Sequence, residues 1–215
     1  MRTPRCLTAA LTAALLWTVT GCGAASTAEA APGPTPGQRY TTRAFAVPFT
    51  VEVPASLGSR PTKDTRTFLT WLKSDGDRVR FLLPAAVYRP GRTTPEKPPA
   101  SYEKYLAFLR GHTDYHAQWR DRRETTVDGH PATLMTGTTD WSLDGTLGCP
   151  TRTGDAGDDC YGLQPEFSLR LAVVDLDDRY LVAWTSVNVE KEPDTAPDFT
   201  RFETMLRSLR FAPGS

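Results

Sequence analysis

Four cysteines, three histidines and one tight run of carboxylates are the side chains of this 215-residue chain whose type and spacing could do chemistry. Cys149 and Cys160 close a short stretch rich in Gly, Thr and Asp that has no apolar core of its own. In an oxidising compartment such a pair is expected to form a disulfide. A zinc site would need two further ligands, and His112, His116 and His130 are not placed to supply them, so no metal is expected. His112 and His116 stand four apart, the spacing of two ligands on one helix face, but Gly111 is expected to end the helix before them. They read as polar loop residues, and His130, in a hairpin turn, reads as solvated. Asp155, Asp158 and Asp159 flank Gly157 inside the stapled loop; three carboxylates there could hold calcium. Their spacing does not match an EF-hand and no bidentate Glu follows, which leaves an exposed acidic loop. Trp141 and Tyr161 flank the cysteine pair, and aromatics on a rigid loop often touch partners, so both are candidate partner contacts. The competing reading packs both rings onto a sheet. No Gly-x-Ser-x-Gly elbow, phosphate loop or dinucleotide fingerprint occurs, so no catalytic residue and no cofactor is expected.

The other two cysteines lie near the start. Arg2 and Arg5 form a short basic segment, and Leu7 to Val19 is uncharged and rich in Ala and Leu, the length of a signal-peptide core. Val19-Thr20-Gly21-Cys22 resembles the bacterial lipobox: an aliphatic residue, two small ones, then the cysteine whose sulfur takes a diacylglycerol. The resemblance implies a signal peptide over residues 1–21, which takes Cys6 with it, and lipidation at Cys22. Residues 22–38 then read as the lipidated Cys and a tether of Gly, Ala, Ser, Thr and Pro with one charge, Glu29. Multiple acyl chains make an effectively permanent anchor. The expected location is the outer face of a cell membrane, with the membrane itself the first partner.

Those residues must be positioned by one domain, expected over residues 39–215 with a disulfide-stapled loop at 141–164. Without Arg2 and Arg5 the chain has 23 basic residues against 25 acidic ones, scattered along its length, which excludes nucleic acid as a partner. Phe45, Val47, Phe49, Val51 and Val53 alternate with polar or small residues, as in a half-buried strand, with Pro48 placing it at an edge or start. Phe68 to Leu72 and Val79 to Tyr88 read as further strands, followed by a turn at Pro95 to Pro99. Ser101 caps a helix whose stripe is Tyr102, Tyr105, Leu106 and Leu109, ended by Gly111. Trp119 to Val127 and Pro131 to Thr139 read as a hairpin about Asp128-Gly129. Phe167 to Val173 alternates, turns at Asp177-Asp178, and returns as Tyr180 to Val189, apolar on both parities and therefore central. Thr195-Ala196-Pro197-Asp198 resembles a capping box opening a helix with Phe199, Phe202, Met205, Leu206 and Leu209 buried. The expected class is α+β: an antiparallel sheet of about six or seven strands packed by two main helices.

Three segments carry a further resemblance: Phe49-Thr50-Val51-Glu52-Val53-Pro54, Val127-Asp128-Gly129-His130-Pro131-Ala132, and Phe202 to Phe211. With these at its start, middle and end, the domain resembles the PsbP-like fold, an α/β/α sandwich named for an extrinsic protein of the photosynthetic oxygen-evolving complex. Many small lipoproteins of high-GC Gram-positive bacteria share that fold. The insertion between Trp141 and Gln164 departs from the core pattern. The resemblance implies a docking or accessory role. The expectation is a non-enzymatic binding module for a protein or cell-envelope partner; the alternative is an envelope hydrolase or ligand-binding enzyme with an unrecognised site.

Overall fold

The computed structural model describes residues 37–72 and 78–213; Cys22, the signal segment and the tether as far as Pro36 lie outside the described residues. Among the described residues twelve strands and two α-helices follow in chain order: β1 (Gln38–Thr41), β2 (Phe49–Val53), β3 (Lys63–Asp64), β4 (Phe68–Leu72), β5 (Arg78–Leu82), α1 (Tyr102–Gly111), β6 (Gln118–Val127), β7 (His130–Thr138), β8 (Leu143–Gly148), β9 (Tyr161–Leu163), β10 (Phe167–Asp175), β11 (Tyr180–Asn188), α2 (Ala196–Ser208) and β12 (Arg210–Phe211). The main sheet has seven strands in the order β3-β4-β5-β11-β10-β7-β6, every neighbour antiparallel. The architecture is the α+β class expected from the sequence.

Strand parity divides the core. On one face Phe81, Leu134, Ala172, Val174, Leu181 and Ala183 pack with Phe202, Met205 and Leu206 of α2, with Leu209 just after it, and with Phe49, Val51 and Val53 of β2. On the other, Leu82, Met135, Leu171, Val173, Val182 and Trp184 pack with Tyr102, Tyr105, Leu106 and Leu109 of α1 and with Leu143, Leu147 and Leu163 around the stapled loop. β11 lies in the middle of the seven strands, and eight of its nine residues are buried. That double coverage explains why both of its parities are apolar. The β6–β7 hairpin turns on Asp128 and Gly129 with φ of 50° and 85°, the two positive values a type I′ turn requires.

Three local expectations are corrected and a fourth is refined. Phe45 and Val47 are buried but precede the strand, which starts at Phe49 immediately after Pro48, and β2 joins a separate three-stranded sheet with β1 and β12. β1 begins at Gln38, inside the segment read as tether, because Gln38 to Thr41 pair with β2. The first α-helix ends at Gly111 as expected, but Gly111 keeps a right-handed backbone, and the chain runs on through a 3₁₀ turn over His112–Tyr115 before breaking at His116, which takes a left-handed φ of 73°. Thr195 makes no side-chain cap bond; Asp194 Oδ1 accepts the N–H of Ala196 at 3.1 Å instead. The Ser101 cap holds, its Oγ accepting the N–H of Lys104 at 3.4 Å. Among the described residues no helix is long and apolar enough to cross a membrane.

Candidate functional site: a cationic groove at one end of the sheet

β4 begins, β5 ends, and the β10–β11 turn lies at the same end of the main sheet, a consequence of antiparallel order. A groove of about 720 Å³ opens there. Besides Ala46, its walls come from five separate segments, each fixed by backbone bonds. Arg66 and Thr67 precede β4, where the Arg66 carbonyl accepts the N–H of Ala46 at 2.8 Å and the Thr67 carbonyl accepts that of Leu83 at 2.8 Å. Pro84 and Ala85 follow β5. Pro95 to Ala100 form a third wall, tied down by reciprocal bonds between Val87 and Glu96 at 3.0 and 2.8 Å. Proline rings fix φ and carry no N–H, so this wall is stiff and partly apolar.

The fourth wall is the stapled loop. Cys149 and Cys160 are disulfide-bonded, as expected. The Cys149 carbonyl accepts the N–H of Ala85 and its N–H reaches the Ala86 carbonyl, both at 2.8 Å. Thr67 Oγ1 donates to the Pro150 carbonyl at 2.8 Å, and the Tyr88 hydroxyl donates to the Gly154 carbonyl at 3.0 Å. Arg152, midway between those two anchored carbonyls, is thereby held at the groove. The fifth wall is the turn Asp178-Arg179-Tyr180, closed by the Leu176 N–H on the Arg179 carbonyl at 2.9 Å, with Asp177 at φ 66°.

The electrostatics are one-sided. Arg66, Lys97, Arg152 and Arg179 line the groove against Glu96 and Asp178. Both carboxylates are already engaged. Arg89 Nε lies 2.8 Å from Glu96, and Arg179 grips Asp178 through two nitrogens, holding that carboxyl below its usual range. Among the described residues Arg66, Lys97 and Arg152 have no ionic partner. Tyr180 is buried against Tyr105, ring centroids 4.5 Å apart, and its hydroxyl makes no hydrogen bond among the described residues. Burial pushes that phenol well up from its ordinary range.

The residues singled out from the sequence lie elsewhere. Trp141 is 65% exposed, stacked on the His116 ring at 5.6 Å, while His116 Nδ1 lies 3.0 Å from Asp140. Tyr161 turns inward: it stacks on Phe68 at 4.7 Å, tilts over Trp184 at 5.5 Å, and carries the Arg80 guanidinium 4.9 Å from its ring centroid. Burial, with Arg78 adding repulsion, lowers the Arg80 pKa to about 10. Neither aromatic lines the groove. Asp155, Asp158 and Asp159 are exposed, and Asp155 Oδ1 accepts the Gly157 N–H at 2.9 Å as an ordinary turn residue. Among the described residues no three His, Cys, Asp or Glu side chains converge as a metal site. His112 is not a polar loop residue: it opens the 3₁₀ turn and is buried, set edge-on to Phe108 at 4.5 Å, and neither ring nitrogen has a partner among the described residues.

No family model matches this chain, and no curated protein matches it by sequence. Among solved structures it is similar to a Pseudomonas aeruginosa protein of unknown function, at 13% identity and a TM-score of 0.41, over 79% of this chain and 96% of that one. It is also similar to the cyanobacterial PsbP of Synechocystis, at 12% identity and a TM-score of 0.43, over 90% of this chain and 99% of that one. At these values neither likeness says what this chain does.

Proposed function

We propose that this protein is an extracytoplasmic lipoprotein of the kind high-GC Gram-positive bacteria carry. In this reading acylated Cys22 anchors it to the outer face of the cell membrane, and its domain is a binding or accessory module for a cell-envelope partner. The observation that carries the binding role is the groove: about 720 Å³, walled by proline and by three cations that no carboxylate among the described residues engages. Concave sites of this size with a few placed polar groups are the usual form of a ligand site. Supporting the placement are the Val19-Thr20-Gly21-Cys22 motif and the Cys149–Cys160 disulfide, a bond typical of oxidising compartments. Trp141, exposed and stacked on His116, is a separate candidate contact, since it follows β7 at the end of the main sheet opposite the β10–β11 turn.

The groove reading is tested without assuming the ligand's chemistry. Ala85 lines the groove and is only half-buried, so Ala85→Trp fills the space without altering its charge. Envelope extract passed over the immobilised mature chain is expected to leave a retained component on the wild type and about tenfold less on Ala85→Trp. Equal retention by both proteins would remove the groove from the account.

A further inference from the structure

Resting on the reading of the groove as the binding face, we infer that its ligand is a small molecule bearing an oxyanion, a phosphate or a carboxylate, held by Arg66 and Arg152. Four cations and two carboxylates line the groove, and both carboxylates are occupied by arginine, Glu96 by Arg89 and Asp178 by Arg179. What the groove offers an incoming group is therefore positive charge with unused donors. Arg66 and Arg152 present planar guanidinium forks, which match phosphate and carboxylate oxygens two at a time. Lys97 adds a mobile third charge from the proline wall.

The backbone that carries them is fixed. Arg66 sits between backbone bonds to Ala46 and Leu83, and Arg152 sits on a loop pinned by the disulfide, by Thr67 on the Pro150 carbonyl and by Tyr88 on the Gly154 carbonyl. The ligand's body is fixed by the remaining lining. Pro84, Pro95, Pro98 and Pro99, with Ala85 and Ala86, are apolar. The volume lies within the roughly 300–1,000 Å³ range of small-molecule sites. A cationic ligand would meet uncompensated like charge, and a purely apolar one would desolvate three cations without replacing their water.

Isothermal titration calorimetry on the full mature chain, at constant ionic strength, tests this with inorganic pyrophosphate and citrate as probes. At least one is expected to bind saturably. Arg66→Gln and Arg152→Gln are each expected to weaken it about tenfold, and the double variant about a hundredfold. Arg122→Gln, on β6 and outside the groove lining, is the control and is expected to leave binding unchanged. Binding of pyrophosphate alone identifies the group as phosphate, of citrate alone as carboxylate, and of both as either oxyanion. No heat with either probe, or affinity unaltered in the double variant, overturns the oxyanion ligand. If Ala85→Trp nevertheless abolishes retention from envelope extract, the groove remains the binding face and only its proposed chemistry falls.

Discussion

Replacing Glu203 with Ala is expected to remove about 3–5 kcal/mol of folding stability, read as a lower urea midpoint at unchanged slope. Glu203 projects from α2 to the sheet, where its Oε1 accepts from Arg170 Nε at 2.8 Å, and its other oxygen pairs with Arg123. Arg170 belongs to β10 and its side chain is only 7% exposed, so its charge has been taken out of water. Two further acceptors hold its Nη1: Thr136 Oγ1 at 3.0 Å, and the Asp121 carbonyl at 3.4 Å, which the β6 bulge between Arg120 and Arg123 turns inward. Both are neutral. Without Glu203 a buried guanidinium loses its counter-charge, and that uncompensated burial sets the size of the loss. Arg123 is about half exposed, so Arg123→Ala should cost less than about 1 kcal/mol. Arg170→Met should also cost much less than Glu203→Ala, because Glu203 keeps Arg123 near the surface. Equal losses for Glu203→Ala and Arg123→Ala would show that burial of Arg170 is not what the carboxylate compensates.

Acid should destabilise the protein through His112, by about 3 kcal/mol between pH 7 and pH 4. Burial, with the Arg89 charge adding to it, lowers the His112 pKa from 6.5 to about 4. The sign follows from proton counts. Below pH 6.5 the unfolded chain protonates this imidazole while the folded chain does not, so the unfolded state binds more protons and stability falls as pH falls. The effect is complete near pH 4, where the folded ring also titrates. Both ring nitrogens lack partners among the described residues, so His112→Leu removes the penalty without breaking a hydrogen bond. The variant should match or exceed the wild type at pH 7 and should lack this share of the acid loss. Urea melts of both proteins at pH 7 and pH 4 isolate the histidine from the carboxylates common to the two. Identical acid losses would contradict a buried neutral His112.

The same two regions show where sequence reading succeeds and stops. The alternation of Phe167, Leu169, Leu171 and Val173 makes β10 recognisable as a strand, and burial of Ala172 and Val174 shows that its other face is covered as well. Arg170 interrupts one of these faces, and nothing local says that a glutamate 33 residues later will meet it. His112 was within reach. The stripe Tyr102, Tyr105, Leu106, Leu109 continues by three to His112, which the helix period places on the buried face, although the glycine at 111 marks the end of the α-helix. Gly111 has an ordinary αR backbone, and the left-handed residue that ends the turn is His116. β1 leaves no pattern in the sequence, because Tyr40 is its only buried residue and a four-residue strand is too short to show a period.

The groove was largely hidden for a different reason. Arg66, Lys97, Arg152 and Arg179 each stand in a segment that reads as a solvated turn, and only the chain's return to one end of the sheet assembles them. The disulfide and the proline run were visible, and they prove to be two of the groove's walls. Trp141 was visible as well and stays exposed, whereas Tyr161 is spent on packing over Trp184 and Arg80.

A cell-envelope partner can reach the groove only if the domain stands outside the cell, and that placement rests on Cys22. Intact-mass and N-terminal peptide analysis of protein purified from its native membrane fraction addresses it directly. The expected chain begins at Cys22 and carries thioether-linked diacylglycerol, with residues 1–21 gone. A chain retaining Met1, or one whose Cys22 bears no lipid, would contradict it.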